Sequence, residues 1–420
     1  MSDDTMTRGA VSAVERPARK RVLALGAKLD ERTMFEKAHR LGIDVVQIQK
    51  PHLADPQQAG TLAVHLLDYA DRDRLVPLAQ AMHAAQPFDA LICVTEPGLP
   101  FAARLAIDLG LRFTRPSTVQ LLKDKWAMRQ LLAAHGVSPV RSAAGTTLAE
   151  IEAFLRDVAA PAIVKPIDGG GSFGIALVSS PAEAAGAFAR LGELGVRSFI
   201  VEEYLSGPEI SVEAFSFAGR HVVVACTDKL TTGSDGFLEL GHAVPAQLDP
   251  AVRAEVVALT QRLLDIVKYT DGPSHTEIKL TPQGPRIIEG HDRLGGDHIN
   301  ELVRLAYGVD MVSTVFAWAC GLIEPFEAPE ALGGAAIRFF IPPAGTLRSV
   351  RGLEELRARP DVVELDWTVP VGGTIPRARD NNNGRPGYVL VQGPDAPSAA
   401  AAAARYAASV EIAVEPEPSP

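Results

Sequence analysis

The chain has 420 residues, a formal net charge of −10, 47% hydrophobic residues and 22% charged residues. This length exceeds one ordinary core and implies two to four domains of a globular protein. The acidic surplus argues against a nucleic-acid or anionic-membrane partner, since both want a basic face. No stretch approaches the roughly 18–20 uninterrupted apolar residues of a membrane span.

The first twenty residues carry charges throughout and lack the apolar run of a secretory signal. They are expected as a disordered tail, with the basic cluster Arg16–Arg21 solvated. Arg21–Gly26 (RVLALG) then reads as a buried parallel strand, 31–41 as a helix and Asp44–Gln49 as a second strand. Leu75–Ala84 follows as helix, Ala90–Val94 as strand and Phe101–Leu109 as helix. Alternation at this spacing implies βαβ units and a parallel sheet. Glu96 lies just beyond the end of a strand, where such sheets place ligands, although a plain loop is the simpler reading of it.

Ser117–Gly136 reads as one helix, capped by Ser117 or Thr118 and stopped by Gly136. From Arg141 to Phe217, strands alternate with a helix at Pro181–Leu191 on a small antiparallel sheet. A strand at Arg220–Thr227, a helix at 251–268 and strands at His275–Leu280 and Pro285–Glu289 form a second α+β block. Residues 334–412 make a last strand-rich unit, and the stretch from Val414 is expected to be disordered. The three cysteines show no CxxC spacing, and Cys93 and Cys226 sit in apolar runs, so they read as buried hydrophobes. The expected compartment is therefore reducing and cytoplasmic.

Three features carry chemistry. The run Ile163–Gly174 (IVKPIDGGGSFG) delivers Lys165 on a strand and continues into successive glycines, whose N–H groups approach an anion closely. Ser172 adds a hydroxyl, and the pattern is not a Walker A loop because no Gly-Lys-Ser/Thr opens a helix. The run Val201–Glu209 (VEEYLSGPE) exits a strand beside carboxylates, a form able to present backbone groups to an adenine and Glu209 to a ribose. Glu277 and Glu289 lie twelve residues apart on strands joined by a Pro-Gln-Gly turn and would face each other across a hairpin. Acids on apolar strands are costly unless paired or metal-bound, and Mg²⁺ with phosphate oxygens suits them.

In this order the three features resemble the ATP-grasp superfamily, over about residues 20–410. The resemblance matches Lys125, within KDKWAMR, and Lys165 to the two ATP-contacting lysines, and Gly170, Gly171, Ser172 and Gly174 to the loop that closes over the phosphates. It makes Glu202, Tyr204 and Leu205 the adenine hinge, Glu209 the ribose acid, Glu277 and Glu289 the magnesium carboxylates, and Arg293 the catalytic arginine. The stretch Thr227–Pro245, with HTEIKL and RLGGDHINELV, looks most like L-amino-acid ligases, in which His242 would lie near the substrate, where it, or else His291, would take the proton of the attacking amine; Asp228 and Lys229 equally suit a surface pair. One departure is His291, where the family pattern has Asn after the second metal glutamate. Imidazole is a poor Mg²⁺ ligand, so His291 binds a Mn²⁺-like ion, or contacts phosphate or water, or the second metal relies on the carboxylates alone.

The resemblance implies an α/β and α+β multidomain ATP-grasp fold. A Rossmann-like pre-ATP-grasp domain is expected at 21–115, a small lid subdomain at 116–205 and a large subdomain with the metal site at 206–330. Residues 331–413 are expected to complete the large domain, with tails at 1–20 and 414–420. The implied activity is a carboxylate–amine ligase using ATP and Mg²⁺, or Mn²⁺, on small-molecule carboxylate and amine substrates. A carboxyphosphate-type carboxylase, loading of a carrier protein and a non-catalytic ATP-binding protein stay open. Dimerisation is common in the family, and nothing in the residues decides it.

Overall fold

The structure, a computed structural model, describes residues 19–416 except 27–32, 56–58, 172, 234–236 and 377–383. The predicted Ser172 contact and most of the predicted N-terminal tail lie outside the described residues.

The N-terminal unit comprises β1 (Lys20–Leu25), α1 (Met34–Arg40), β2 (Ile43–Gln49), β3 (Thr61–Leu66), α2 (Arg72–Ala85), β4 (Ala90–Ile92) and α3 (Leu99–Leu109). Its four strands are parallel in the order β3-β2-β1-β4. Strand β3 was not anticipated. It is an edge strand whose Leu62, Val64 and Leu66 point to solvent, the reverse of a core pattern.

The single helix expected at Ser117–Gly136 is two, α4 (Pro116–Lys123) and α5 (Lys125–Ala134). Asp124 breaks them: its extended backbone (φ −94°, ψ 100°) leaves the helix, and its carboxylate caps α5 by accepting the Ala127 N–H at 2.9 Å. Lys125 therefore opens a new helix and donates its N–H to the Ile167 carbonyl at 3.0 Å. That break delivers its side chain to the site.

Next come β5 (Ser142–Gly145), α6 (Leu148–Val158), β6 (Ala162–Pro166), β7 (Ala176–Val178), α7 (Pro181–Glu193) and β8 (Phe199–Glu203). They form an antiparallel sheet in the order β5-β8-β6-β7, with the α6 and α7 faces around Phe154, Ala187 and Leu191 packed on it.

The remaining chain runs β9 (Glu209–Phe217), β10 (Arg220–Thr231), β11 (Glu239–Val244), α8 (Pro250–Ile266), β12 (Gly272–Thr281), β13 (Gly284–His291), α9 (Ile299–Tyr307), α10 (Met311–Ala319) and β14 (Gly334–Phe339). It continues through β15 (Gly345–Arg351), α11 (Leu353–Arg357), β16 (Val362–Trp367), β17 (Thr374–Ile375), β18 (Gly387–Gly393), α12 (Ala396–Ser409) and β19 (Glu411–Glu415). Eight strands join in the order β13-β12-β9-β10-β11-β14-β18-β16, so β14, β16 and β18 extend the same sheet that carries the carboxylate strands. The expected disorder from Val414 does not hold for its first residues: Val414 and Glu415 belong to β19 and pair with Leu347 and Thr346.

One core joins the N-terminal sheet to the large sheet. Phe35, Ala90 and Ile92 pack with Phe215, Val224, Leu302 and Phe316, and the Phe35 and Phe316 rings meet edge-on at 6.3 Å. This seam fixes the C-terminal end of β4 over the end of β13. Among the described residues no single helix is long and apolar enough to cross a membrane.

Candidate active site

A cleft opens between the small and large sheets. Its walls carry Lys125, Lys165, Glu202, Tyr204, Leu205, Glu209, Glu277 and Glu289, so residues predicted from three separate motifs line one space. The register of β12 and β13 sets Glu277 directly opposite Glu289, beside a bulge. Two like charges so placed repel, and each is offset by a buried ammonium. Lys125 Nζ lies 3.1 Å from Glu289 Oε2, and Lys229 Nζ lies 2.5 Å from Glu277 Oε1. Burial alone would raise both carboxyls, but Lys229 with His275 at Glu277, and Lys125 with His291 at Glu289, together outweigh it and hold both below the usual carboxylate range. Both side chains are therefore anionic at neutral pH.

Lys229 is not the surface residue that its position allowed. Its side chain is 3% exposed, and it also contacts Glu209 and Glu239, each at 2.9 Å. The carboxylates outweigh desolvation and push its pKa well above the ordinary lysine value. Asp228 faces away and accepts the Gln247 N–H at 2.9 Å. Glu209 binds Lys279 as well, at 3.1 Å.

Glu202 is taken up by two cations. Lys165 Nζ sits 2.6 Å from Oε2, while Arg129 pairs with Oε1 and donates to the Ile287 and Ile288 carbonyls at 2.5 and 3.0 Å. Burial would raise this carboxyl, yet Lys165 and Arg129 pull it down to about 2. The Glu202 side chain thus positions Lys165, leaving the backbone of the strand exit, Tyr204 and Leu205 to face the cleft. Arg129 was missed although it stands four residues after Lys125, on the same face of α5.

The glycine run crosses the cleft. Gly169, Gly171 and Gly174 hold positive φ (100°, 67° and 69°), a backbone that a side chain would strain. Lys125 Nζ donates to the Gly169 carbonyl at 2.5 Å, and a Cβ on Gly170 would come within 3.5 Å of Glu96 Oε2. The loop therefore spans from the small sheet to the N-terminal unit.

Glu96 is more than a plain loop residue. It accepts from Arg293 Nε and Nη2 at 2.9 and 2.8 Å, and lies 3.6 Å from His291 Nδ1. Burial would raise its pKa, but Arg293 and His291 together lower it. His291 Nε2 is 3.0 Å from Glu289 Oε1, and its ring stacks on His275 at 5.8 Å. His275 in turn holds Glu213 at 3.0 Å; this pairing outweighs burial and raises the imidazole to about 9.

His242 faces carboxylates. Its side chain is closed to solvent, with Nε2 3.4 Å from Asp297 and 3.5 Å from Glu239. Burial would lower its pKa, but those two carboxylates raise it. Arg385, from the loop before β18, clamps Asp297 through both oxygens at 2.6 and 2.7 Å. Among the described residues, the trio of potential metal ligands within 4.8 Å of one another is Glu239, His242 and Asp297, not the expected Glu277, Glu289 and His291. That compact trio suits a hard metal poorly, because Arg385 already takes both oxygens of Asp297 and the third member is an imidazole. Glu277 and Glu289 fit a hard divalent cation better: they are ionised, adjacent, offer oxygen only, and face a space open to further oxygen ligands.

Comparison with known proteins agrees with this geometry. Residues 35–112 match the family described as ATP-grasp N-terminal domain, 158–301 the ATP-grasp domain, and 338–415 the L-amino acid ligase C-terminal domain 2. Human carnosine synthase 1 is 26% identical over 330 residues, covering 72% of this chain and 40% of that protein. The alanine–anticapsin ligase of Bacillus subtilis strain 168 is 27% identical over 267 residues, covering 57% of this chain and 56% of that one. The chain thus spans about half the length of these two curated relatives. The L-amino acid ligase of Bacillus licheniformis superposes with a TM-score of 0.82 at 22% identity, over 96% of this chain and all of that one. The chain belongs to the ATP-grasp superfamily and carries at residues 338–415 an L-amino acid ligase C-terminal domain.

Proposed function

We propose that the protein joins the carboxylate of one amino acid to the amine of another, using ATP and forming an acyl phosphate on the way. The observation that carries this reading is the Glu277–Glu289 pair, faced by Lys125 and Lys165, lying under the glycine run and next to Arg293.

The adenine would lie against the strand exit at Tyr204 and Leu205, with Glu209 toward the ribose. Lys125 and Lys165 would exchange carboxylate partners for phosphate oxygens, and glycine N–H groups would cover the phosphates. Glu277 and Glu289 would hold Mg²⁺, which supplies charge neutralisation on the phosphates; His291 would orient Glu289 from its side. A substrate carboxylate oxygen then attacks the γ-phosphorus in line, and the bond to the β–γ bridging oxygen breaks, giving ADP and an acyl phosphate. Positioning and charge stabilisation do the work. The glycine run keeps out water that would hydrolyse this intermediate. The amine of the second amino acid attacks the acyl carbon, Arg293 stabilises the oxyanion, and the departing phosphate is basic enough to take the amine's proton. His242 was expected as the proton acceptor; with Nε2 held by two carboxylates it suits positioning of Asp297 and Glu239 instead.

The test is ADP and phosphate release with Mg²⁺-ATP across all pairs of the standard L-amino acids, with mass spectrometry of the products. The expected result is phosphate release tied to a product equal in mass to two amino acids minus water. ATP turnover dependent on bicarbonate and indifferent to any amine would overturn the proposal.

A further inference from the structure

Behind the acids of the cleft stands a second polar row. On β12, Glu277 and His275 share one face. The antiparallel register sets them opposite Ser211 and Glu213 on β9, and opposite Glu289 and His291 on β13. The next residue on this face of β9 is Phe215, which lies in the apolar core with Leu294 and Ile299. On these two strands, Glu213 and His275 are therefore the last polar pair before that core, 2% and 4% exposed.

The contacts run inward to outward as a relay. Ser211 Oγ donates to Glu213 Oε1 at 2.7 Å, and both Glu213 oxygens lie 3.0 Å from His275 Nδ1. A carboxylate only accepts, so Nδ1 carries a hydrogen and the ring is held in one orientation. That orientation turns Nε2 toward Glu277, 3.5 Å from Oε1. Lys229 comes to the same oxygen at 2.5 Å, so both partners make their closest approach to Oε1, and Oε2 is the oxygen left for a metal. The pair also supports the loop that follows Arg293. A Cβ on Gly295 would fall 3.0 Å from His275 Nδ1 and 3.1 Å from Glu213 Oε2, so this backbone lies directly on the pair. A buried ion pair adds little stability of its own, and apolar side chains of similar volume would pack as well or better. Apolar side chains could not hold a nitrogen beside Glu277.

We infer that Glu213 and His275 are positioning residues: Glu213 orients the imidazole, and the imidazole fixes Glu277 for a divalent cation, as His291 does for Glu289. This inference rests on the metal role proposed for Glu277. The test is Mn²⁺ binding to the full chain beside a non-hydrolysable ATP analogue, read from the electron paramagnetic resonance of free Mn²⁺. His275→Asn keeps a donor where Nδ1 stands and removes Nε2, so the Kd for Mn²⁺ should rise by about tenfold or more. His275→Gln keeps a donor where Nε2 stands, and it should recover about threefold or more of that loss. A purely structural pair would lower stability in urea and leave the metal affinity of the folded protein unmoved. Affinities within about twofold of the parent in both variants, or equal losses in the two, would therefore overturn the inference. If neither variant folds, Glu213→Gln carries the test, because it leaves one acceptor for Nδ1 and removes the charge. Its Kd for Mn²⁺ should rise by about threefold or more, and an unchanged value would overturn the inference. A parent chain that binds no Mn²⁺ beside the nucleotide would instead remove the metal from Glu277, and this inference with it.

Discussion

Replacing Glu202 by Gln keeps the shape of the side chain and removes the negative charge that Lys165 and Arg129 share. A carboxyl held at about 2 in the folded chain, against about 4.5 when unfolded, contributes about 3 kcal/mol to folding at pH 7. The folded value is the depressed one, so this contribution is full above about pH 4.5 and is lost as the pH falls through about 2. By pH 3 it has shrunk to about 1 kcal/mol. The variant should therefore be less stable than the parent by about 3 kcal/mol at pH 7, and the gap should close to about 1 kcal/mol at pH 3. Urea unfolding of both proteins, followed by far-UV circular dichroism at each pH, gives the two differences. A gap that stays constant between pH 7 and pH 3, or one below about 1 kcal/mol at pH 7, would refute the argument that the carboxylate is held ionised by these two cations.

Arg293→Ala should lower turnover by about 10²–10³-fold while nucleotide binding stays within about twofold, and steady-state kinetics beside nucleotide titration separates the two. Glu289→Gln should move the midpoint of the magnesium activation curve upward by about tenfold or more; an unmoved midpoint would remove Glu289 from the metal site. Lys229→Met takes away the ammonium shared by Glu209, Glu239 and Glu277, and a loss of about 3–5 kcal/mol in urea unfolding at pH 7 is expected. His291→Asn removes the imidazole that orients Glu289 and offers a hard carbonyl oxygen in its place, so the ratio of Mn²⁺- to Mg²⁺-supported activity should fall. An unchanged ratio would show that the imidazole has no part in setting the metal preference.

The glycine run, the strand exit at Glu202–Glu209 and the Glu277/Glu289 hairpin were legible because each is a local pattern whose spacing fixes its geometry. The turn register alone would set Glu277 opposite Ile288, and the bulge after Glu277, which the sequence did not announce, shifts it by one residue to face Glu289. The partners of these residues were not legible, because they come from elsewhere in the chain. Lys229 reaches Glu277 across forty-eight positions, and Arg293 reaches Glu96 across 197. The break at Asp124 was hidden for a different reason. Asp is tolerated inside a helical pattern, and only the hydrogen bond from the Lys125 N–H to the Ile167 carbonyl makes capping a new helix better than continuing the old one.

The charges of the cleft show what those distant partners accomplish. Every predicted acid contact, whether to ribose, metal or hinge, is already met by a cation: Glu209 by Lys279 and Lys229, Glu277 by Lys229, Glu289 by Lys125, and Glu202 by Lys165 and Arg129. An unpaired buried acid would rise in pKa and protonate, and a neutral acid is a weak ligand for a divalent ion. Pairing keeps Glu277 and Glu289 ionised, while Lys125, which holds Glu289, and Lys165, which holds Glu202, line the space under the glycine run. A metal–nucleotide complex brings both a cation for the carboxylates and anions for the lysines, so binding exchanges partners without leaving a buried charge alone. On this argument the lysines and the glutamates form one functional unit, and neutralising either kind should impair nucleotide and metal binding together.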